Sequence, residues 1–492
     1  MSLPDNNSPW PPLQMAPFYQ EMRTDHAWYS GDRTLLARVY QRDEQREDGS
    51  RRLWSRLRAP VPGERDRRMH IPLAADIAHT SAALLFSEPP TATVTNSPTQ
   101  QRLDKLIEAG GVANTLLEAA EVGAALGGVY LRVTWDRDLV ARPLLTVVHA
   151  HRAVPEFRFG ILAAVTFWHE LPCEDSGTVW RHVERHEAGR IVHGLYQGTP
   201  DHVGIRVPLT ERPETAPLAA SLGPAGDTIE TGIPALTAAY VPNMKPHRLH
   251  LESPHGRSDY AAPLYDMLDE IDEVWSSWMR DIRLARARLI VPDAYLRDRG
   301  PGRGASFDAD REIWQALNVP PTEQGGITLA QFAIRVDEHR QTSEALTQQA
   351  VRSAGYSVQS FGLGDQGAAV TATEVTARER RSMITRDTKS RYWAPALADM
   401  LHVMLMLDQA LFTPGLAPER PRLVFGDSVS EDPQSVAQTL SLLQQAQAVS
   451  VETKVRILHP DWDDTAVREE TDRILTESGQ AVPDPMQSGH LL

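Results

Sequence analysis

Apolar positions change their period repeatedly along this chain. Residues 15–41 repeat as a helix would, in two pieces broken at Tyr29-Ser30-Gly31-Asp32. Residues 42–69 are polar and arginine-rich and read as a loop or arm. In HIPLAADIAHTSAALLFSEPP (70–90), Leu73, Ile77, Leu84 and Leu85 fall near helical spacing, and Pro89-Pro90 stop the helix. A helical pair follows at about 100–109 and 112–126. The period then shortens. GVYLRVTWD, LLTVVHAH, ILAAVTFWHEL, TVWRHVERHE and RIVHGLYQG alternate or run apolar at strand length. Residues 199–232 are loop-like, with Pro, Gly and Thr, and ALTAAYVPN is a further short strand.

The helical period returns near Ser258-Asp259. Leu264, Leu268, Ile271, Trp275, Trp278 and Ile282 step by 4, 3, 4, 3 and 4, one apolar stripe over about six turns. Acidic residues (Asp266, Asp269, Glu270, Asp272, Glu273) crowd its first half, and Arg280, Arg283, Arg286 and Arg288 its end, as the helix dipole favours. Leu264 to Arg286 spans roughly 33 Å at the α-helical rise. RLIVPDAYL reads as a strand and turn, RDRGPGRGASFDADRE as a glycine-rich loop, and ITLAQFAIRV (327–336) as a second strand. A polar helix at about 337–354 and a flexible loop, SVQSFGLGDQGAAV, lead to a long helix at about 372–412, which Pro395 should kink. PRLVFGD is a strand. Helices at about 432–447, 451–458 and 462–478 follow, with Asp432-Pro433 and Ser450 as start signals, and the tail AVPDPMQSGHLL reads as disordered. No internal repeat is visible.

Composition narrows the classes. The 492 residues are 41% hydrophobic and 23% charged, the proportions of a globular protein, with length for two or more domains. A net charge of −15 and a pI near 5.6 argue against wrapping nucleic acid by neutralising phosphates. The lone Cys173 excludes an internal disulfide framework and fits a reducing compartment. The first residues, MSLPDNNSPWPP, lack a signal-peptide pattern, and the longest apolar runs are too short to cross a bilayer. The expectation is a soluble protein made in the cytoplasm.

Catalytic signatures are absent. There is no GxxxxGK[ST], GxSxG, HExxH or CxxC. His182 and His186 would suit a metal on a helix, but local alternation predicts a strand with both on one exposed face. Asp269, Glu270, Asp272 and Glu273 read either as a divalent-metal cluster or, more simply, as a solvated helix start. GPGRG (300–304) reads as a plain turn rather than a phosphate cradle, and Cys173 as a small structural residue. Arg378, Arg380, Arg381, Arg386, Lys389 and Arg391 are interleaved with Glu374, Glu379 and Asp387 and surround their helix. They read as salt-bridging, with direct DNA contact as the alternative. Trp275, Trp278, Tyr392 and Trp393 read as packing anchors.

The order of these elements, with four local stretches, resembles the portal proteins of long-tailed bacteriophages. The stretches are HIPLAADIAHTSAALLFSEPP; GRSDYAAPLYDMLDEIDEVWSSWMRDIRLARARLIVPDAYL (256–296); TATEVTARERRSMITRDTKSRYWAPAL (371–397); and LVFGDSVSEDPQSVAQTLSLLQQAQAVSVETKVRILHPDWDD (423–464). WYSGD at 28–32 also fits, whereas 128–245 and 297–335 match only in kind. The resemblance implies an α+β portal fold. Residues 1–255 would form a strand-containing wing, 256–287 a first stem helix, 288–335 a small α/β clip and 336–356 a second stem helix. A tunnel loop would occupy 357–371, a long wing helix and returning strand 372–427, a helical crown 428–480 and a disordered tail 481–492.

The same resemblance implies a homo-oligomeric ring, usually of twelve subunits, at one capsid vertex of the virion, assembled in the host cytoplasm. Double-stranded DNA would pass through it during packaging and ejection. Its partners would be the terminase large subunit, head-completion or adaptor proteins, and the major capsid and scaffold proteins, with no membrane. It would be no enzyme and carry no cofactor or metal. Ser360, Phe361, Gly362, Leu363, Gly364, Asp365, Gln366 and Gly367 would line the channel, made compliant by glycine. Leu264, Leu268, Ile271, Trp275, Trp278 and Ile282 would pack the stem. Two other classes stay open on the residues alone: a metal-dependent nuclease or hydrolase using 269–273, and a basic-helix DNA-binding protein using Arg378 to Arg391.

Overall fold

The structure is a computed structural model. It describes residues 3–39, 68–173, 177–222, 226–285, 334–363, 372–426, 433–446, 448–459, 462 and 464–478, and four short strands between 288 and 330. Of those strands and of 372–378 it describes the backbone only. The chain divides into two compact units, Met1–Gly364 with Arg381–Gly426, and Asp365–Arg380 with Asp427–Leu492.

The first unit is α+β. Helix α1 (Ala16–Ser30) ends where Gly31 takes φ +64°, and a short α2 (33–39) follows, as the break at 29–32 predicts. Then come α3 (Leu73–Phe86), β1 (Thr91–Thr93), α4 (Ser97–Ala109) and α5 (Val112–Leu126). The Asn96 side chain accepts the Thr99 N–H at 3.0 Å and starts α4. Strands β2 (Gly128–Thr134) and β3 (Leu144–His149) pair with β10 (Ala238–Pro242) in a three-stranded antiparallel sheet, order β10-β2-β3.

A larger sheet holds β4 (Ala153–Arg158), β5 (Ile161–Leu171), β6 (Val179–Glu187), β7 (Arg190–Thr199) and β8 (His202–Val207), all antiparallel and in chain order. Short β9 (Thr228–Glu230) joins β7 beyond the end of β8, and α6 (Ala216–Leu222) lies between them in sequence. The interval 199–232, expected as loop, therefore carries two strands and a helix. Its strands are only six and three residues long. The N-terminal segment lies along β8: Asn7 N–H donates to the Gly204 carbonyl at 2.7 Å, and Trp10 N–H to that of Asp201 at 2.9 Å.

Helix α7 (Leu264–Leu284) starts about five residues later than the sequence suggests, after Pro263. Asp259, read as its start, is buried and used elsewhere. Four two- or three-residue strands follow: β11 (Arg288–Ile290) pairs with β14 (Thr328–Ala330), and β12 (Arg297–Asp298) with β13 (Ala305–Ser306). The GPGRG stretch (300–304), expected as a plain turn, lies outside the described residues. Helix α8 (Val336–Ala354) packs against α7. Helix α9 (Ala372–Leu411) carries Pro395 inside it. Strand β15 (Arg422–Val424) pairs with β1, more than three hundred residues away in sequence.

Two apolar clusters form most of the core of this unit. One joins α1, α3, α5, α7 and α8. The other joins α3, α4, α5 and the small sheet to α9 from Trp393 to Leu407. Glycine is required where α5 turns into β2. Gly127 has φ +81°, and a Cβ there would lie 2.9 Å from the Gly256 carbonyl oxygen; one on Gly128 would meet the Tyr240 hydroxyl at 2.4 Å. That close approach brings the chain before α7 against the end of α5. The second unit contains α10 (Pro433–Gln445), α11 (Val451–Leu458), which the Ser450 side chain starts by accepting Thr453 N–H at 3.2 Å, and α12 (Asp464–Glu477). Among the described residues no helix is long and apolar enough to cross a membrane.

Candidate functional site

Four chain segments that are far apart in sequence meet at one buried ion pair. Lys389 of α9 and Asp259, just before α7, each leave 1% of the side chain exposed, and Nζ lies 2.6 Å from Asp259 Oδ2. Lys389 also donates to Ser81 Oγ of α3 at 2.6 Å and to the Tyr356 hydroxyl, just after α8, at 3.0 Å. Tyr356 in turn donates to Asp259 Oδ2 at 2.7 Å, and Asn243 Nδ2 to Oδ1 at 2.8 Å. All three ammonium protons have acceptors, as a buried charge requires. Burial pushes the Lys389 ammonium below its ordinary value, against the opposing pull of Asp259. Burial pushes the Tyr356 hydroxyl well up.

The segment after α8 is held beside this knot. Ser382 Oγ of α9 accepts the Ser357 N–H at 2.9 Å and shares hydrogen bonds with Ser357 Oγ at 2.9 Å and Ser360 Oγ at 2.8 Å. Thr385 Oγ1 donates to the Gly355 carbonyl at 2.5 Å. Residues 358–361 form a 3₁₀ turn, and Phe361 lies edge-on to Tyr356 at 6.2 Å. The expected compliant loop therefore begins with a turn pinned by hydroxyls. Gly362 has φ +68° and Leu363 is exposed; Gly364, Asp365, Gln366 and Gly367 lie outside the described residues.

Along α7, Leu264, Leu268 and Ile271 are buried in the core. Trp275 and Trp278 are half-buried and 5.2 Å apart, and Trp278 stacks on His339 of α8 at 5.9 Å. Ile282, counted in the same stripe, is 41% exposed: the stripe outruns what this chain supplies to cover it. Asp281 beside it accepts from His339 Nε2 at 3.0 Å and from Arg335 at 2.9 Å, and these hold its carboxyl below the usual range.

The acidic residues of α7 do not converge. Asp272 is buried and accepts the Ile71 N–H at 2.8 Å, with His70 Nδ1 at 2.9 Å. Asp269 pairs with Arg68, while Glu270 and Glu273 are exposed. Asp269 and Asp272 fasten the stretch leading into α3. Among the described residues no three His, Cys, Asp or Glu side chains gather as a metal site would require. Tyr265 of α7 donates to the buried Asp25 of α1 at 2.6 Å, and burial drives that carboxyl well above its ordinary value.

The basic run of α9 divides. Arg386 is buried, with Nε donating to the Leu84 carbonyl in the last turn of α3 at 2.9 Å and Nη2 to the Gly426 carbonyl. Lys389 is in the knot. Arg380, Arg381 and Arg391 are exposed, and the Arg378 side chain lies outside the described residues.

His182 and His186 are on strand β6 as alternation predicts, but they are buried, not exposed, because the sheet is covered there. His186 meets Thr237 Oγ1 at 2.7 Å and Glu184 Oε1 at 2.8 Å; His182 stacks on His193 at 5.3 Å, and burial, reinforced by that neighbour, pushes it down to about 3. Burial alone would raise Glu184, but His186 and Arg132 hold its carboxylate well below the usual range. Cys173 is exposed rather than packed.

Sequence reasoning missed the knot at Asp259 and the Asp25–Tyr265 and Asp281–His339 contacts. Each joins residues from tens to hundreds of positions apart, and a single sequence carries no signal that pairs them.

Known proteins place the chain. A family model described as "Phage portal protein, SPP1 Gp6-like" matches residues 16–484. No curated protein sequence matches. Solved chains that are similar include two from particle necks. One, from "Neck of empty GTA particle computed with C6 symmetry", has TM-score 0.43 and 13% identity, over 79% of this chain and 90% of that one. The other, from "Neck of native GTA particle computed with C12 symmetry", has TM-score 0.41 and 15% identity, over 79% and 89%.

Proposed function

We infer, for a chain that belongs to the SPP1 Gp6-like phage portal protein family, that it is one subunit of a ring at a capsid vertex through which double-stranded DNA enters and leaves. The family match over 16–484 carries this reading, since it takes in every described α-helix from α1 to α12. In this reading α7 and α8 are the stem, and 288–335 is the clip that receives the terminase large subunit and later the head-completion or adaptor proteins. Residues 357–371 are the tunnel loop, 372–427 the long wing helix and returning strand, and 428–480 the crown. Capsid and scaffold proteins would meet the outer body.

The physical chemistry supports such a role. The knot of Lys389, Asp259, Tyr356 and Ser81 ties the start of α7, the end of α8 and the long helix to α3. A ring built this way keeps its loop base registered to its outer body while a duplex slides past. At −15 per chain, twelve copies would carry roughly −180, and an acidic passage repels phosphates rather than gripping them. No step of this role needs a catalytic group from the chain.

Light scattering on the purified chain, followed by end-on electron micrographs, tests the reading. The expected particle is about 656 kDa for twelve copies of a 54.7 kDa chain, with a central hole. A chain that stays monomeric and cleaves DNA with a divalent metal would overturn it, as would tight, salt-sensitive duplex binding by a monomer.

A further inference from the structure

The hairpin of β4 and β5 ends in a two-residue turn, Phe159-Gly160, with φ of +52° and +78°. Both central residues are in the left-handed region, where Asn-Gly or Gly-Gly are favoured and a bulky aromatic is a costly choice. Phe159 is fully exposed at 105%, and Ile161 beside it is 73% exposed. The hairpin also overhangs its sheet. The β5–β6 register begins at Val165 with His186, so residues 161–164 are paired to β4 alone, with a bulge between Glu156 and Phe157. Among the described residues nothing rewards an aromatic ring there, because it touches no core and strains its own turn. Such an outlier points to a role outside the chain.

At the other side of the same sheet, where β8 leaves β7 and α6 begins, lies a cavity of about 810 Å³. Leu195, Val207, Pro208, Leu209, Ala216 and Ala219 form its apolar part, His193, Thr210 and the Arg206–Asp227 pair its polar part, and its volume admits a phenyl ring with an adjacent side chain. In sheet order the knob is borne by the first strands and the hole by the last. A knob and a hole on unlike faces of one chain make a head-to-tail contact, the type that closes into a ring. We propose that the Phe159 tip of one subunit seats in the Leu195–Leu209–Ala216 cavity of the next copy of this chain. This rests on the ring reading above and adds the contact that joins neighbours.

The test uses the full chain with Cys173→Ser, so that engineered thiols react alone. Phe159→Cys combined with Ala216→Cys, oxidised in the assembled state, should give a ladder of covalent oligomers on denaturing gels, and each single variant none. Phe159→Asn should lower the assembled fraction several-fold by light scattering, while the unassembled chain melts no lower, because asparagine suits the turn. Rings that form fully with Phe159→Asn, or that give no ladder, would overturn the proposal and leave the ring reading standing. Dimers from Phe159→Cys alone would also overturn it, since they mean tip-to-tip contact. A parent chain that forms no ring would sink the ring reading itself.

Discussion

Replacing Lys389 with methionine keeps the length of the side chain and removes its charge. Asp259 would then keep the Tyr356 and Asn243 hydrogen bonds at 2.7 and 2.8 Å but lose its counter-ion inside the protein. Breaking a buried pair in this way costs about 3–5 kcal/mol. A ceiling comes from the alternative open to the carboxyl, which is to take up a proton. That uptake costs about 1.36 kcal/mol for each pH unit above the ordinary Asp value of ~3.9, so about 4 kcal/mol at pH 7 and about 1.5 kcal/mol at pH 5. The expected loss is therefore about 3–4 kcal/mol near neutrality, shrinking as pH falls. The sign follows because the folded variant binds a proton that the unfolded chain releases, so its stability declines with rising pH.

A chain of this size need not unfold in one step, so amide hydrogen exchange in the α9 peptide around Lys389 is the better assay. Exchange should quicken about 1000-fold at pH 7 and about 10-fold at pH 5 after correction for the intrinsic rate. Adding Asp259→Asn should restore part of the protection, leaving a loss of roughly 1–2 kcal/mol. A loss under about 1 kcal/mol at pH 7, or the same loss at both pH values, would refute the claim that this pair is a desolvated ion pair.

Ser382→Ala should leave the Ser357 N–H without its acceptor, costing about 1–3 kcal/mol locally; limited proteolysis should then cut faster between 357 and 371, and an unchanged cleavage rate would count against the pinned turn. Arg386→Ala should lower the melting temperature through lost contacts to Leu84 and Gly426, whereas Arg380→Ala, Arg381→Ala and Arg391→Ala should each change stability by less than about 0.5 kcal/mol. Asp281 is held below the usual carboxyl range by His339 and then Arg335, so its contribution is present above ~3.9 and is lost as pH falls through its lower folded value. Exchange in the first turns of α8 should rise over that acid range.

What the sequence made legible follows from what is local. The stripe of α7, the pair α4 and α5, and the long α9 have periods long enough to declare themselves. Ser450 supplies a start signal that depends on its nearest neighbours alone. The misses are non-local. β1 reads as nothing at three residues, because its partner β15 lies at the far end of the chain. Alternation located His182 and His186 on a strand, but exposure is decided by what covers the sheet, and Thr237 and His193 come from other segments. Asp259 had the look of a helix start and became the buried partner of a lysine 130 positions away. The carboxylates of α7 looked clustered in one dimension and diverge in three, because successive helical positions turn about 100° apart.

The edges of the large sheet bear on how subunits wait before they meet. On one side the segment 3–10 hydrogen-bonds along β8; on the other, β4 carries Pro155 within it. An open strand is a template on which any passing extended chain can zip. Here one rail is already occupied by the chain's own beginning and the other is interrupted by a residue with no N–H to offer. In the ring proposed above, neighbours meeting at this sheet would then do so by the shape of their side chains, and a badly seated one, held by no backbone ladder along these two edges, could leave and try again.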